Sequence, residues 1–115
     1  MAHALTDNLF EAKEDQRKWL HLSAVITNNF INHLFTINEQ ICRDNKLPAN
    51  ALQPLIKQTF DRVKQTSPFT VQTGPAIRND FATIDRHRKL LEEQPHLLKV
   101  YEAMTESIKK VHGIG

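Results

Sequence analysis

Three asparagines in the middle of a long apolar segment are the side chains best suited to handling a small polar molecule. They are Asn28, Asn29 and Asn32. Asparagine is a poor helix former in a helix interior, so its presence there calls for a reason. Carboxamides can orient a carbonyl or carboxylate group without adding charge. They can equally hydrogen-bond across a helix interface, and the residues alone leave both interpretations open.

A second candidate is the segment 73–80, whose sequence is Thr-Gly-Pro-Ala-Ile-Arg-Asn-Asp. Its Gly-Pro pair predicts a rigid turn that brings Arg78 and Asp80 close together just before a helix. The Arg78 guanidinium could bind a carboxylate or phosphate through two hydrogen bonds. An internal ion pair between Arg78 and Asp80 would give the same sequence, so this pair also has two interpretations.

Several other kinds of site are excluded by spacing. The glycines are Gly74, Gly113 and Gly115, which form neither a G-x-G-x-x-G fingerprint nor a P-loop. Any dinucleotide must therefore be held mainly by another domain. The six histidines and Cys42 have no compact ligand spacing, and we expect no metal site. Cys42 lies in no nucleophile motif, so we predict that its thiol packs in the interior.

The charge balance points to neither nucleic acid nor an anionic membrane as a partner. Lys and Arg number 15 against 13 Asp and Glu, which gives a net charge of +2. The basic run 86–89 has Asp85, Glu92 and Glu93 beside it, which favours a solvated helix face over a phosphate site. With one cysteine, no secretory signal pattern and no apolar run long enough to span a bilayer, the sequence predicts a cytoplasmic protein.

The elements that must position these residues are all predicted to be helices. From about Glu14 to Asp44 there is no Pro or Gly, which predicts one helix of roughly thirty residues. Its apolar side chains cover roughly 220° of the circumference at 100° per residue, so it must be central and covered from several sides. These side chains are Trp19, Leu20, Leu22, Ala24, Val25, Ile26, Phe30, Ile31, Leu34, Phe35, Ile37, Ile41 and Cys42.

Three shorter helices are predicted to follow. After the break at Leu47-Pro48, the second helix is started or kinked by Pro54 and ends near Gln65. Residues 69–72 read as a loop. The third helix begins at Asp80 as its cap, and the fourth runs from Pro95 to a stop at Gly113, with residues 97, 101, 104, 108 and 111 on its apolar face. The predicted fold is all-α, one long central helix packed by three or more shorter ones.

Taken in order, the motifs resemble a domain of unknown function that follows an N-terminal Rossmann domain in uncharacterised bacterial oxidoreductase-like proteins. The resemblance extends from about Leu5 through His87 to the segment 101–108, and Thr-Gly-Pro-Ala-x-Arg-x-Asp is its most specific element. The motifs that carry it are Gln16-Arg17-Lys18, His21-Leu22-Ser23-Ala24-Val25, Asn29-Phe30-Ile31-Asn32-His33, Pro54-Leu55-Ile56 and the segment 72–80.

The resemblance implies a domain similar to the C-terminal helical domains of 6-phosphogluconate dehydrogenase and ketopantoate reductase relatives. In such proteins NADP or NAD is bound mainly by the Rossmann domain, and a hydride passes to a carbonyl or imine held against the helical domain. The helical domains often form a homodimer. Residues 1–13 would then be an arm or the remnant of the missing Rossmann domain, and residues 14–115 the substrate and dimerisation domain, inactive alone.

The resemblance also suggests roles for individual residues. Asn29 and His87 are the catalytic candidates, with Asn29 contacting substrate or nicotinamide. Arg78 would bind an anionic group of the substrate, and Asp80 would hold Arg78 in place. Thr73 and Asn32 complete the predicted substrate-binding set. A rival hypothesis is a free-standing helical module that only dimerises or docks a partner, in which Asn29 and Arg78 are buried in mutual hydrogen bonds.

Overall fold

The computed structural model describes residues 13–115, and every regular element in that range is helical. This confirms the predicted all-α fold class. The first twelve residues of the predicted N-terminal arm lie outside the described range. The elements are α1 (Glu14–Ala24), a π-helical segment (Val25–Asn29), α2 (Phe30–Asp44), α3 (Gln53–Gln65), a 3-10 turn (Pro68–Val71), α4 (Phe81–Leu90) and α5 (Pro95–Val111).

The chain divides into two compact units, one ending at Ala51 and the other running from Leu52 to Gly115. Within the first unit, the predicted helix from Glu14 to Asp44 forms without a break. The backbone stays in the right-handed helical region at both junctions, with φ/ψ of −61/−46° at Val25 and −66/−43° at Asn29. No helix in residues 13–115 combines the length and apolar character that crossing a membrane would require.

The π-helical segment is the feature of this helix that was not predicted. The Phe30 N–H donates to the Val25 carbonyl, five residues back instead of four, so the segment holds one residue more than a regular turn. An extra residue rotates everything after it by about 100° relative to an uninterrupted α-helix. The segment therefore changes which side chains of α1 and α2 share a face.

We call the exposed apolar face produced in this way the apolar strip. At 3.6 residues per turn its six members would spread over about 120° of a regular helix, but with one extra residue they fall within about 80°. Their exposed fractions range from 37% for Ile41 to 71% for Trp19. Within the described chain this face is uncovered, although Cys42 on the same helix is buried as predicted. The strip consists of Trp19, Leu22, Ile26, Phe30, Leu34 and Ile41.

The C-terminal ends of α2 and α5 are capped by the same backbone motif, with a different residue in the left-handed position. After α2, the Leu47 N–H donates to the Cys42 carbonyl at 2.8 Å, and Lys46 takes a left-handed φ of 57°. After α5, the Ile114 N–H donates to the Lys109 carbonyl at 2.8 Å, and the left-handed residue is Gly113 with φ 67°. These are Schellman caps, in which glycine is the residue that avoids steric cost.

Replacing Lys46 with glycine is therefore expected to stabilise the protein by about 0.5–1 kcal/mol, since a residue with a Cβ is strained at this φ. Thermal or urea unfolding of the variant measures the change. Gly113→Ala is the matched control and should destabilise, because an added Cβ meets open space and only backbone strain remains. Equal stability of Lys46→Gly and the parent chain would contradict the strain argument.

In the second unit the predicted helix boundaries are confirmed. α3 has Pro54 in its first turn and ends at Gln65, α4 begins after Asp80, and α5 begins at Pro95. Part of the predicted loop 69–72 instead forms the 3-10 turn, in which the Thr70 N–H and hydroxyl both donate to the Ser67 carbonyl.

The core of this unit is small and differs in one respect from the predicted apolar face of α5. Ala76, Ile84 and Leu97 are 2–4% exposed, and Thr105 is 8% exposed. The predicted face included Met104 and Val111, but both are largely exposed. The face that is actually covered runs through Leu97, Tyr101, Thr105 and Ile108, with a threonine where an apolar residue was expected.

Candidate functional site

The asparagine cluster lies at the end of the π-helical segment. Asn28 and Asn29 are its last two residues, and Asn32 lies in the first turn of α2. All three are exposed, and within residues 13–115 no hydrogen bond involves their carboxamide groups. π-helical turns are often found at functional sites, where they displace a side chain from the regular helical register. These amides are thus available to a molecule outside the described chain.

The Gly-Pro loop is held rigidly by its own backbone. The Asp80 N–H donates to the Pro75 carbonyl at 2.9 Å, and the Asn79 N–H donates to the Ala76 carbonyl at 3.1 Å. Gly74 has φ of 102°, a conformation that side chains with a Cβ rarely adopt. Ala76 is 4% exposed and anchors the loop in the core. The loop therefore presents Arg78 and Asp80 from a fixed base.

Arg78 and Asp80 form the internal ion pair that one of the two interpretations of the sequence predicted. An Arg78 guanidinium nitrogen lies 3.7 Å from Asp80 Oδ2, and the Arg78 side chain is 60% exposed. An ion pair this exposed contributes little to stability, about 0–1 kcal/mol. More than half of the Arg78 side chain remains open to solvent, so pairing with Asp80 leaves room for an external anion.

Asp80 also caps α4, as the sequence predicted. Its carboxylate accepts hydrogen bonds from the Thr83 N–H at 3.1 Å and from the Thr83 hydroxyl at 2.8 Å. These two hydrogen bonds lower the pKa of Asp80 below its ordinary value of 3.8; burial opposes this shift, and the Arg78 and Arg86 charges add to it. The carboxylate is therefore the form that the folded chain favours.

This lowered pKa makes the contribution of Asp80 to stability dependent on pH. A depressed folded pKa means that the stabilisation is present above pH 3.8 and is lost as the pH falls through the folded value. Asp80→Ala should lower the Tm by a few degrees at pH 7 and by less at pH 3, as circular dichroism can measure. Asp80→Asn, which retains a capping group, should cost less at pH 7. Asp85→Ala, on the same helix, is the control; an equal Asp80→Ala effect at both pH values would refute the prediction.

His87 is paired with a residue that sequence spacing did not reveal. Its Nδ1 lies 2.8 Å from the Tyr101 hydroxyl, with the two rings edge to face. One residue further along each helix, Arg88 Nε lies 3.0 Å from Glu102 Oε1 as an ion pair without hydrogen-bond geometry. Burial raises the pKa of Tyr101 above its ordinary value of 10.0, partly offset by the Arg88 charge. Because Nδ1 faces Tyr101, Nε2 is the ring nitrogen of His87 that a ligand could contact.

Thr73 lines a small cavity between the last turns of α3 and the 3-10 turn. The cavity has a volume of about 140 Å³, and Arg62 and Gln72 lie in its wall beside Thr73. Sequence reasoning did not single out Arg62. The signal in the sequence was a basic side chain in the last turn of a predicted helix, shortly before the turn at Pro68. A basic residue at this position usually reflects a favourable interaction with the helix dipole.

Comparison with known families identifies the chain. The family model described as Domain of unknown function (DUF2520) matches residues 1–108. The chain belongs to the DUF2520 family. Among curated proteins, none matches it.

This DUF2520 chain is also similar to a solved structure from Bacteroides fragilis that is provisionally named an NADP oxidoreductase. The two share 39% sequence identity with a TM-score of 0.83, and the match covers 86% of the present chain. It covers 38% of the Bacteroides fragilis chain, so the DUF2520 chain spans well under half of that protein. The resemblance inferred from the motifs is confirmed.

Of the predicted site residues, the structure brings Arg78 and Asp80 into contact, and the others are divided between the two units. Thr73, Arg78, Asp80 and His87 belong to the unit Leu52–Gly115, whereas Asn29 and Asn32 belong to the unit that ends at Ala51. In residues 13–115 of the DUF2520 chain, no three His, Cys, Asp or Glu side chains are grouped as metal ligands. The roles assigned to these residues remain predictions.

Proposed function

We propose that this chain is the substrate-binding and dimerisation domain of an NADP-dependent oxidoreductase that transfers a hydride to a carbonyl or imine. The observation that carries the proposal is the 39% identity, over 86% of the chain, to a protein provisionally named an NADP oxidoreductase. The exposed amides and the rigid Arg78 loop support it. They are polar, fixed by helix or loop backbone, and accessible to a small molecule.

In this proposal the nicotinamide cofactor is bound mainly by a Rossmann domain outside the chain. The chain has three glycines and no G-x-G-x-x-G pattern, so it lacks the backbone cradle for a pyrophosphate. The cofactor supplies the hydride. This chain supplies Asn29 to orient the reacting group, Arg78 to bind an anionic part of the substrate, and His87 Nε2 as a candidate proton donor.

Dimerisation is proposed through the apolar strip of α1 and α2. Its six apolar side chains are each 37–71% exposed, and contiguous exposed apolar faces often mark protein–protein interfaces. No acidic or basic residue belongs to the strip, and a second copy would offer an identical apolar face in a two-fold arrangement. The rival hypothesis of a free-standing helical module also expects dimerisation or docking through an apolar face. It also expects Asn29 and Arg78 to be buried, whereas both are exposed in the described chain.

The proposal is tested on the natural gene product that contains this chain together with any adjoining nucleotide-binding domain. We expect saturable NADPH binding by fluorescence and NADPH oxidation with at least one carbonyl or imine compound from a panel that includes 2-oxo acids. Absence of any nicotinamide cofactor binding would overturn the oxidoreductase proposal and leave the helical module.

A further inference from the structure

A small cavity in the unit Leu52–Gly115 has the chemistry of an anion site with an apolar wall. It lies between the C-terminal turns of α3 and the following 3-10 turn, is half open to solvent and has a volume of about 140 Å³. Val63, Pro68 and Val71 form its apolar wall, and Arg62, Gln72 and Thr73 form the polar part. This volume is close to that of cavities that hold a molecule the size of benzene, roughly 150 Å³.

Arg62 is distinguished from the other arginines of this unit by its lack of an internal partner. Arg78 is paired with Asp80, Arg86 donates to the Thr83 hydroxyl, and Arg88 is paired with Glu102. The neighbouring carboxylate on α3, Asp61, is taken by Lys57 at 2.8 Å. Throughout Leu52–Gly115, all of which is described, no carboxylate forms an ion pair with Arg62. A guanidinium beside a cavity and without a counter-ion favours an anionic ligand.

The other polar residues of the cavity wall, Gln72 and Thr73, help to define which class of ligand fits. Gln72 uses its side-chain N–H to hold the Thr73 carbonyl at 3.0 Å, which fixes the rim of the cavity and leaves the Thr73 hydroxyl as a further hydrogen-bonding group. A planar carboxylate matches the paired N–H groups of arginine. The apolar wall requires a short aliphatic group attached to that carboxylate, because a fully hydrated inorganic anion would gain nothing from it.

We infer that this cavity binds a small aliphatic carboxylate, with Arg62 on the carboxylate and Val63, Pro68 and Val71 against the aliphatic group. The inference rests on the proposed function only in regarding such a carboxylate as a second anionic group of the substrate, distinct from the group assigned to Arg78. Binding itself is a property of this chain. A ligand of about six non-hydrogen atoms is expected to bind with a Kd on the order of 1 mM.

Isobutyrate titrated into the ¹⁵N-labelled chain should produce saturable amide shifts confined to residues near 59–73. Isobutyramide, which lacks the charge, and inorganic phosphate, which lacks the aliphatic group, should each bind at least about 10-fold more weakly. Arg62→Gln should weaken isobutyrate binding by about 10-fold or more, and Thr73→Val by less. Arg86→Gln is the matched control and should leave the affinity unchanged.

Shifts spread over the chain without saturation would overturn the inference, as would equal losses in Arg62→Gln and Arg86→Gln. Phosphate binding as tight as isobutyrate would also overturn it, because the apolar wall would then play no part. Folding of each variant is checked from its own amide spectrum. Failure of this titration leaves NADPH oxidation by the natural gene product untouched, and failure of NADPH binding leaves the titration untouched, so the two proposals fail separately.

Discussion

Replacing Phe30 with aspartate is expected to abolish the proposed dimerisation through the apolar strip and leave the protein monomeric. Phe30 lies near the middle of the apolar strip and is 56% exposed in the described chain, so the monomer itself tolerates a polar side chain there. In a two-fold interface the same position would place a carboxylate from each copy in apolar surroundings. A buried charge without a partner costs about 3–5 kcal/mol. The dimer dissociation constant should therefore rise by at least about 100-fold.

Sedimentation velocity over a concentration range, or light scattering after size exclusion, measures the change. His33→Asp is the control, since it adds the same charge to the same helix on an exposed residue outside the strip. Circular dichroism should show equal helix content in both variants. A parent chain that is monomeric at high concentration would refute dimerisation through the strip, and a dimeric Phe30→Asp variant would move the interface elsewhere.

Asn29→Ala is expected to lower kcat/KM of the proposed oxidoreductase, assayed as the natural gene product, by about 100-fold. The expectation follows from the proposed role, because removing one fixed hydrogen-bonding group from a reacting centre typically costs this much. The side chain is exposed and forms no hydrogen bond within residues 13–115, so its removal should leave stability nearly unchanged. Asn28→Ala, at the adjacent position of the same π-helical segment, should lose much less activity.

Arg78→Ala belongs to the same experiment and should act mainly through KM. Loss of a charged hydrogen-bonding partner for an anionic group is expected to raise KM by about 10–100-fold. Arg86→Ala is its control. Steady-state NADPH oxidation separates the outcomes: unchanged kcat/KM in both Asn29→Ala and Arg78→Ala would dismiss the site assignment, whereas an equal effect of Asn28→Ala and Asn29→Ala would indicate a general role of the amides.

The sequence predicted the helices well because their boundaries depend on local chemistry. Asp80 caps α4 through the Thr83 N–H, Pro95 occupies the start of α5, and Gly113 takes the left-handed conformation that ends it. Each signal acts within about one turn of the residue that carries it. The long helix was also predicted from local signals, namely the helical spacing of its apolar residues and the absence of proline and glycine from residues 14–44.

The sequence did not reveal features that depend on contacts between elements or on small changes of register. His87 and Tyr101 are fourteen residues apart, and no helical spacing indicates that their side chains meet at 2.8 Å. Arg62 and Thr73 share a cavity only because the chain turns at Pro68. The π-helical segment differs from a regular α-helix by one hydrogen-bond step, which hydrophobic periodicity is too coarse to detect.

In a regular α-helix the number of residues fixes the direction in which the last turns face. The π-helical segment separates these two properties in the helix from Glu14 to Asp44. Deleting one residue between Val25 and Asn29 would allow an ordinary α-helix from Glu14 to Asp44 and would leave every main-chain amide satisfied. After this deletion α2 would still face the same way relative to α1, because the π-helical segment already takes up one residue without its rotation of about 100°. The π-helical segment therefore lets this helix hold one additional residue without changing the direction that α2 faces.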